Sequence, residues 1–178
     1  FESCIVPRLL ANSGVWIEIA SSTVKKLDAT QNLFAQALLR LPSSTVLVSY
    51  RAELGLLGMK WRIWESKLLL AASILEQEDC VLARQVMEQQ LEAGWPGLGQ
   101  EVAAICQEVG IPNICQEQVD KKRIKEAIFY HHMNDLKIEM KKYEKLDDIS
   151  NGDFRTMQSY MKDFCLEHCR MGFRLRTH

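Results

Sequence analysis

The sequence predicts an all-α fold, a multi-helix bundle, and three observations support this expectation. Apolar residues recur at steps of three and four in several long stretches, which is the spacing of one face of a helix. Glycine and proline stand between these stretches, where they would end helices. The composition, with 47% hydrophobic and 25% charged residues among 178, is an ordinary globular mixture. We therefore expect a packed helical chain rather than a disordered one.

The first part of the chain predicts one short helix and one long helix. Residues 2–12 form the short one, which Gly14 ends, and residues 15–19 suit either a strand turn or an extended linker. A serine or threonine within residues 21–23 can cap the long helix. Its apolar stripe supports this prediction and consists of Val24, Leu27, Phe34, Leu38 and Leu41.

A corner between helices follows, and it leads into the predicted hub of the fold. Pro42 ends one helix, Ser43 and Ser44 can cap the next, and Gly55 and Gly58 break it. The helix after this corner, about residues 59–76, is apolar on most of its circumference, so neighbours must cover it on several sides. Its two stripes are Trp61, Trp64, Leu68, Ala71 and Leu75, and beside them Ile63, Leu70 and Ile74.

The second half of the chain predicts four more helices. Asp79 is expected to cap a helix that ends at Gly94, and a shorter helix over residues 100–109 follows. A long helix, about residues 118–146, comes next, and residues 154–172 form the last one. The long helix carries a narrow apolar seam, typical of packing on one partner helix, at Phe129, Met133, Leu136, Met140 and Tyr143.

Charge divides the chain into three segments, although the net charge is only -1. Residues 1–75 carry 8 Lys and Arg against 5 Asp and Glu, residues 76–120 carry 1 against 9, and residues 121–178 carry 13 against 9. We predict a helical module, an acidic helical spacer and a basic helical connector over these ranges. Only the basic segments suit a polyanionic partner.

The corner also carries a family resemblance. The residues Arg40-Leu41-Pro42-Ser43-Ser44-Thr45, then Ala52-Glu53-Leu54-Gly55-Leu56-Leu57, then a basic and aromatic helix, resemble the region after the catalytic domain in reverse transcriptases of LINE-type (non-LTR) retrotransposons. The resemblance implies a thumb followed by a connector. It also implies that the catalytic aspartates and their magnesium ions belong to an upstream part of the parent polymerase. The chain would then be an internal, non-catalytic fragment without a cofactor of its own.

This resemblance implies a nucleic-acid interface made of basic side chains. A thumb holds an RNA–DNA hybrid or RNA through phosphate contacts, next to the palm and C-terminal regions of the polymerase. Lys26 and Arg40 are fourteen residues apart, so at about 100° per residue they would lie within about 40° of each other on a continuous helix. The candidate contacts are Lys25, Lys26, Arg40, Arg51, Lys60 and Arg62, with Lys137, Lys141 and Lys145 on the long helix.

The same residues allow a second interpretation. The basic edges could be solvated surface, and the chain could be a helical protein-interaction or structural domain without nucleic-acid affinity, or a decayed element copy. The acidic middle and the seam on the long helix favour this alternative.

The sequence predicts no active site and no metal site. Asp147-Asp148 is interpreted as a helix end. The Cys and His residues 165, 168, 169 and 178 are not expected to bind zinc, since three of them would share one helix. His131 and His132 are expected to be partly exposed helix residues.

Location is predicted from the cysteines and the hydropathy pattern. The six scattered cysteines fit reduced thiols in an intracellular protein of the nucleus and cytoplasm. No run of about 18 apolar residues occurs, so no membrane partner is expected.

Overall fold

The computed structural model of the chain describes residues 4–40, 45–112, 114, 120–143 and 146. Within these residues the structure has seven α-helices, one short 3-10 helix at Ser13–Val15 and no strand, which confirms the all-α prediction. The helices are α1 Val6–Leu9, α2 Ser21–Leu39, α3 Leu47–Leu54, α4 Met59–Leu75, α5 Leu82–Ala93, α6 Leu98–Val109 and α7 Lys121–Met140. The helix predicted over residues 154–172 lies outside the described residues.

The described helices form two compact units, and each draws on separate stretches of the chain. Unit 1 takes its described residues from 1–24 and 59–131, and unit 2 takes them from 25–58 and 132–178. Each unit therefore combines residues from more than one of the three charge-defined segments. The functional division of the chain into those segments stays a prediction.

The centre of unit 1 is α4, the helix predicted to be the hub. It packs against the 3-10 helix, α5 and α6, and its buried residues are Met59, Trp61, Ile63, Lys67, Leu68, Ala71 and Ala72. The 3-10 helix approaches α4 closely at Gly14. A Cβ atom there would lie only 3.1 Å from the Ser66 carbonyl oxygen and 3.2 Å from Leu70 Cδ2. This close approach explains why a residue without a side chain stands at that position.

An ion pair between a buried lysine and a half-buried glutamate joins α4 to α6 in unit 1. The Lys67 ammonium group donates to the Glu101 carboxylate, and the Lys67 side chain is only 4% exposed. The other Glu101 oxygen accepts a hydrogen bond from the backbone N–H of Glu18, in the segment between the 3-10 helix and α2. One carboxylate thus connects three separate parts of unit 1.

The C-terminal ends of α5 and α6 lie where the sequence predicts them, but the N-terminal cap of α5 does not. Gly94 and Gly110 end these helices with positive φ values of 65° and 66°, a conformation that favours glycine. The N-cap of α5 is Val81, without a side-chain capping bond. The prediction that Asp79 caps α5 is therefore wrong, because its carboxylate pairs with Arg84 at 2.6 Å.

The cap of α3 was also predicted differently. Its N-cap is Val46, which makes no side-chain capping bond, whereas Ser43 and Ser44 lie outside the described residues. The C-terminal break at Gly55 is confirmed, since that glycine has a φ of 63° and ends α3. The structure therefore contains the part of the predicted corner in which Gly55 ends α3.

The core of unit 2 lies between α2 and α3. Its apolar cluster consists of Ala35, Leu39, Tyr50, Leu54 and Leu56. Two buried polar side chains hold the segment after α3. Gln31 Nε2 donates to the Leu57 carbonyl at 3.1 Å, and His132 Nε2 lies 3.2 Å from the Leu56 carbonyl. The expectation that His132 is partly exposed is therefore wrong, because its ring is buried against the Leu56 carbonyl and is only 4% exposed.

The long predicted helix corresponds to α7, which ends at Met140 before a turn over residues 141–143. The predicted seam is buried at Met133, Leu136 and Met140, but Tyr143 lies in the turn and is exposed. The N-terminal half of α7 buries Ile124 and Ile128, which the seam did not include. These two residues are four apart, so helical spacing could have identified them.

The hub helix predicts unequal effects for two neighbouring tryptophans. Trp61 is buried, whereas Trp64 is half-buried, and the two rings make an edge-to-face contact with centroids 5.1 Å apart. We expect Trp61→Ala to lower the free energy of unfolding by about 3–5 kcal/mol. Trp64→Ala should cost less, since part of its ring is already hydrated. Chemical denaturation of both variants measures this difference, and equal losses would contradict the assigned burial.

The ion pair between Lys67 and Glu101 predicts a large cost for removing one partner. Glu101→Gln leaves a buried ammonium group without its counter-charge, and we expect a loss of about 3–5 kcal/mol in the free energy of unfolding. Adding Lys67→Met in the same chain should restore most of that loss, because the buried charge is then gone. Denaturant titrations measure both effects. A Glu101→Gln chain within about 1 kcal/mol of the parent would contradict a buried charge at Lys67.

Candidate nucleic-acid interface

The nine predicted phosphate contacts are distributed over both units. Unit 2 contains Lys25, Lys26, Arg40, Arg51, Lys137 and Lys141, and unit 1 contains Lys60 and Arg62. Lys145 lies outside the described residues. Their surroundings differ, and these differences decide which of them can reach a phosphate without breaking an internal contact.

Lys25 and Lys26 are exposed near the N terminus of α2. Within the described part of the chain, no ion pair is found for either ammonium group. The backbone carbonyl of Lys26 accepts a hydrogen bond from Thr30 Oγ1 at 3.1 Å, within the same helix. These two lysines therefore present charge to solvent, as the sequence predicted for a basic edge.

Arg40 is also exposed, but it lies beyond the end of α2. Its φ is 49°, a left-handed conformation, and its N–H donates to the Ala37 carbonyl at 3.3 Å. A separation of about 40° between Lys26 and Arg40 requires a helix that continues through Arg40. Because the helix ends at Leu39, the 40° separation does not apply, and Arg40 is placed by the turn instead.

The exposed surface of α2 between these basic ends carries no charge. Its exposed residues after Lys26 are Ala29, Thr30, Leu33 and Ala37. The one acidic residue within α2 is Asp28, and its carboxylate lies 3.2 Å from the Arg51 guanidinium. A polyanion near this helix would therefore meet no unpaired carboxylate from α2.

Arg51 is occupied by internal contacts. Besides the ion pair with Asp28, its Nε donates to Asn32 Oδ1 at 3.0 Å, and its side chain is only 15% exposed. The guanidinium thus joins α3 to α2 within unit 2. A direct phosphate contact by Arg51 stays a prediction, and it would have to replace these partners.

Lys60 covers two indole rings in unit 1. Its ammonium nitrogen lies 4.1 Å from the Trp64 ring centroid and 4.7 Å from that of Trp61, which is cation–π geometry. The same nitrogen lies 3.1 Å from Glu108 Oε1. Lys60 therefore has a role within unit 1 that requires no nucleic acid.

Arg62 is half-buried and acts electrostatically on Glu65 of the same helix. Burial is the largest effect on Glu65 and raises the pKa of its carboxyl group, while the charges of Lys125 and Arg62 act in the opposite direction. The result is a pKa above the usual 4.5. Arg62 therefore has a carboxylate close enough to offset part of its charge.

Lys137 and Lys141 lie at the end of α7. Lys137 is half-buried in the last turn of the helix, where a positive charge is favourable to the helix dipole. Lys141 is exposed in the following turn, and its N–H donates to the Lys137 carbonyl at 3.1 Å. Both positions are explained by local helix structure, and a phosphate contact there stays a prediction.

Two buried polar atoms in unit 2 were not identified from the sequence. The Tyr50 hydroxyl and Gln31 Oε1 have no hydrogen-bond partner among the residues that the structure describes. Burial raises the pKa of Tyr50, with Arg51 acting against this effect. Tyr50 lies in the short helix α3, which has no clear apolar stripe, so nothing in the sequence distinguishes its hydroxyl from that of an exposed tyrosine.

No metal centre is formed by the described residues. Within them, no group of three His, Cys, Asp or Glu side chains could hold a metal ion. Asp147, Asp148 and the Cys and His residues 165, 168, 169 and 178 lie outside the described residues. Cys4, Cys80 and Cys106 are thiols rather than disulfide partners.

In the described part of the chain, every helix is too short or too polar to cross a membrane. No protein-family model, curated protein or solved structure matches the chain. The resemblance to LINE-type reverse transcriptases stays a prediction from the sequence.

The raised pKa of Glu65 predicts a pH-dependent effect on stability. Since the folded chain holds this proton more tightly, the contribution of Glu65 to stability is fully present below its unfolded pKa, near 4.5, and is lost as pH rises through the raised value. We expect Glu65→Gln to raise Tm at pH 7 and to change it much less at pH 3. Thermal melts at both pH values test this, with Glu92→Gln on exposed α5 surface as the control. An equal shift at both pH values would contradict the prediction.

Proposed function

We propose that the chain is a non-catalytic helical module that helps to hold an RNA–DNA duplex through phosphate contacts. The observation that supports this most directly is the exposed basic pair Lys25 and Lys26 at one end of α2, with Arg40 just beyond the other end. Neither end has an ion-pair partner among the described residues. Such contacts fix the position of a duplex without reading its sequence.

The spacing of these basic groups suits a duplex backbone. Lys26 and Leu39 are thirteen residues apart within α2, which is about 20 Å along the helix axis. In B-form DNA that length corresponds to about six base-pair steps. The two ends of α2 can therefore neutralise different phosphates.

Arg51 contributes indirectly to this proposal. By pairing with Asp28, it offsets the one acidic charge within α2. The remaining exposed surface of the helix is uncharged, so phosphates can approach it without repulsion from a carboxylate of α2. In this interpretation Arg51 neutralises Asp28, and the phosphate contacts are made by Lys25, Lys26 and Arg40.

The proposed role is that of a thumb and connector in a larger reverse transcriptase of LINE type. In that parent protein, the palm would supply the aspartates and the magnesium ions, and this part would supply no catalytic group. The partners would be the hybrid, the palm and the C-terminal region, in the nucleus and cytoplasm. The sequence resemblance, whose more specific motifs lie within residues 1–75, supports this assignment.

A second candidate function is a helical protein-interaction domain without nucleic-acid affinity. The observation that favours it is a set of exposed apolar side chains on α5, which include Leu82 and Val86. The two candidates make opposite predictions for duplex binding, so a single titration separates them.

The test is a fluorescence-anisotropy titration of the whole chain with a short labelled RNA–DNA hybrid at several salt concentrations. We expect binding that weakens as salt rises. The double variant Lys26→Gln with Arg40→Gln should bind the hybrid more weakly than the parent chain at the same salt concentration. The slope of log K against log salt should fall in magnitude by about two, because two phosphate contacts are lost.

A charge-matched control distinguishes this surface from net charge alone. Lys122→Gln with Lys142→Gln removes the same two charges from exposed positions elsewhere. We expect this control to bind the hybrid more tightly than the Lys26 and Arg40 variant does. Equal binding by both variants would contradict the α2 surface, and no binding at low salt would contradict the proposed function.

A further inference from the structure

The outer face of α5 carries a stripe of exposed side chains, apolar except for Gln89, with no partner among the described residues. Leu82 is 72% exposed and Val86 43% exposed, and Gln89 and Ala93 continue the same line as exposed residues. The steps between them are four, three and four, which keeps all four side chains on one side of a helix. This spacing is the one found where two helices pack along a seam.

The apolar stripe is distinct from the face by which α5 joins unit 1. Met87 is buried and Leu91 half-buried, and at about 100° per residue they point away from the Leu82 and Val86 side. The packing requirement of α5 in unit 1 is therefore met by its inner face. The exposed leucine and valine are a second apolar surface of the same helix.

An exposed tryptophan lies just beyond the C-terminal end of α5. Trp95 follows directly after Gly94, the residue that ends α5, and it is 57% exposed. Large aromatic side chains are enriched among the residues that contribute most to binding at protein interfaces. Trp95 therefore provides a candidate anchor at the C-terminal end of the stripe.

The charges around the stripe indicate what kind of partner fits. Glu78 and Glu92 are exposed near its two ends, and no ion pair is found for either of them among the described residues. Arg84 is shared by Asp79 and Glu88, so it offsets only one of their two charges. The apolar surface thus has an acidic border.

We propose that the outer face of α5, with Trp95, binds a basic amphipathic helix of a partner protein. The apolar side of such a helix covers Leu82 and Val86, and its lysines or arginines meet the acidic border. A second copy of this chain fits less well, because two acidic borders would come together. This surface does not depend on the proposed duplex binding, since the acidic border repels phosphate.

The test uses two synthetic peptides of about 18 residues with the same leucine seam. One peptide has lysine at all positions outside the leucine seam, and the other peptide has glutamate at those positions. In anisotropy titrations with the whole chain, we expect the lysine peptide to bind and the glutamate peptide to bind at least about tenfold more weakly. Higher salt should weaken the lysine complex.

Variants then locate the binding surface. Leu82→Ser with Val86→Ser should weaken the lysine peptide about tenfold or more, because the covered apolar area is lost. Trp95→Ser should also weaken it. Leu33→Ser, at an exposed leucine of α2 in unit 2, is the matched control and should bind as the parent does. All of these positions are exposed, so folding should be preserved.

Three results would overturn the proposal. The first is no binding of the lysine peptide by the parent chain, and the second is equal binding of both peptides. The third is self-association, measured by sedimentation, that the Leu82 and Val86 variant abolishes, because the occupant would then be a second copy. None of these results bears on duplex binding, so this proposal and the proposed function can fail independently.

Discussion

The ion pair between Lys67 and Glu101 is the interaction on which unit 1 depends most. A lysine ammonium group in the middle of the hub helix is costly to bury, and it is tolerated because a carboxylate on α6 meets it. The same carboxylate also holds the backbone of Glu18. The mostly apolar surface of the hub helix therefore contains one ion pair. The segment that leads into α2 is hydrogen-bonded to the carboxylate of that pair.

The sequence predicted the helices well where the signal is local. The hub helix and the glycine ends of α3, α5 and α6 depend on helical spacing and on positive φ values, both of which a short stretch of residues determines. The cap of α5 and the burial of His132 were predicted wrongly, since each depends on a contact. The hydrogen bond of His132 reaches Leu56, 76 residues away in sequence, and no local pattern reports such a distance.

For the candidate interface, too, the sequence predicted only the properties that do not depend on distant contacts. The exposure of Lys25 and Lys26 could be predicted because exposed charge is the usual state of a lysine. The state of Arg51 could not be predicted, because its partners Asp28 and Asn32 lie on a preceding helix. Lys60 is similar, since Glu108 is 48 residues away. Charge alone therefore identifies candidates for phosphate contact, whereas tertiary structure decides which of them are already engaged.

The division into two units has a consequence for spectroscopy. All four tryptophans, at positions 16, 61, 64 and 95, belong to unit 1, and unit 2 contains none. Indole emission therefore reports on the unfolding of unit 1 alone, whereas circular dichroism in the peptide region records the helices of both units. Coincidence of these two signals during denaturation is the criterion for a single cooperative transition. In this chain the comparison also shows whether the two units unfold together, without any added label.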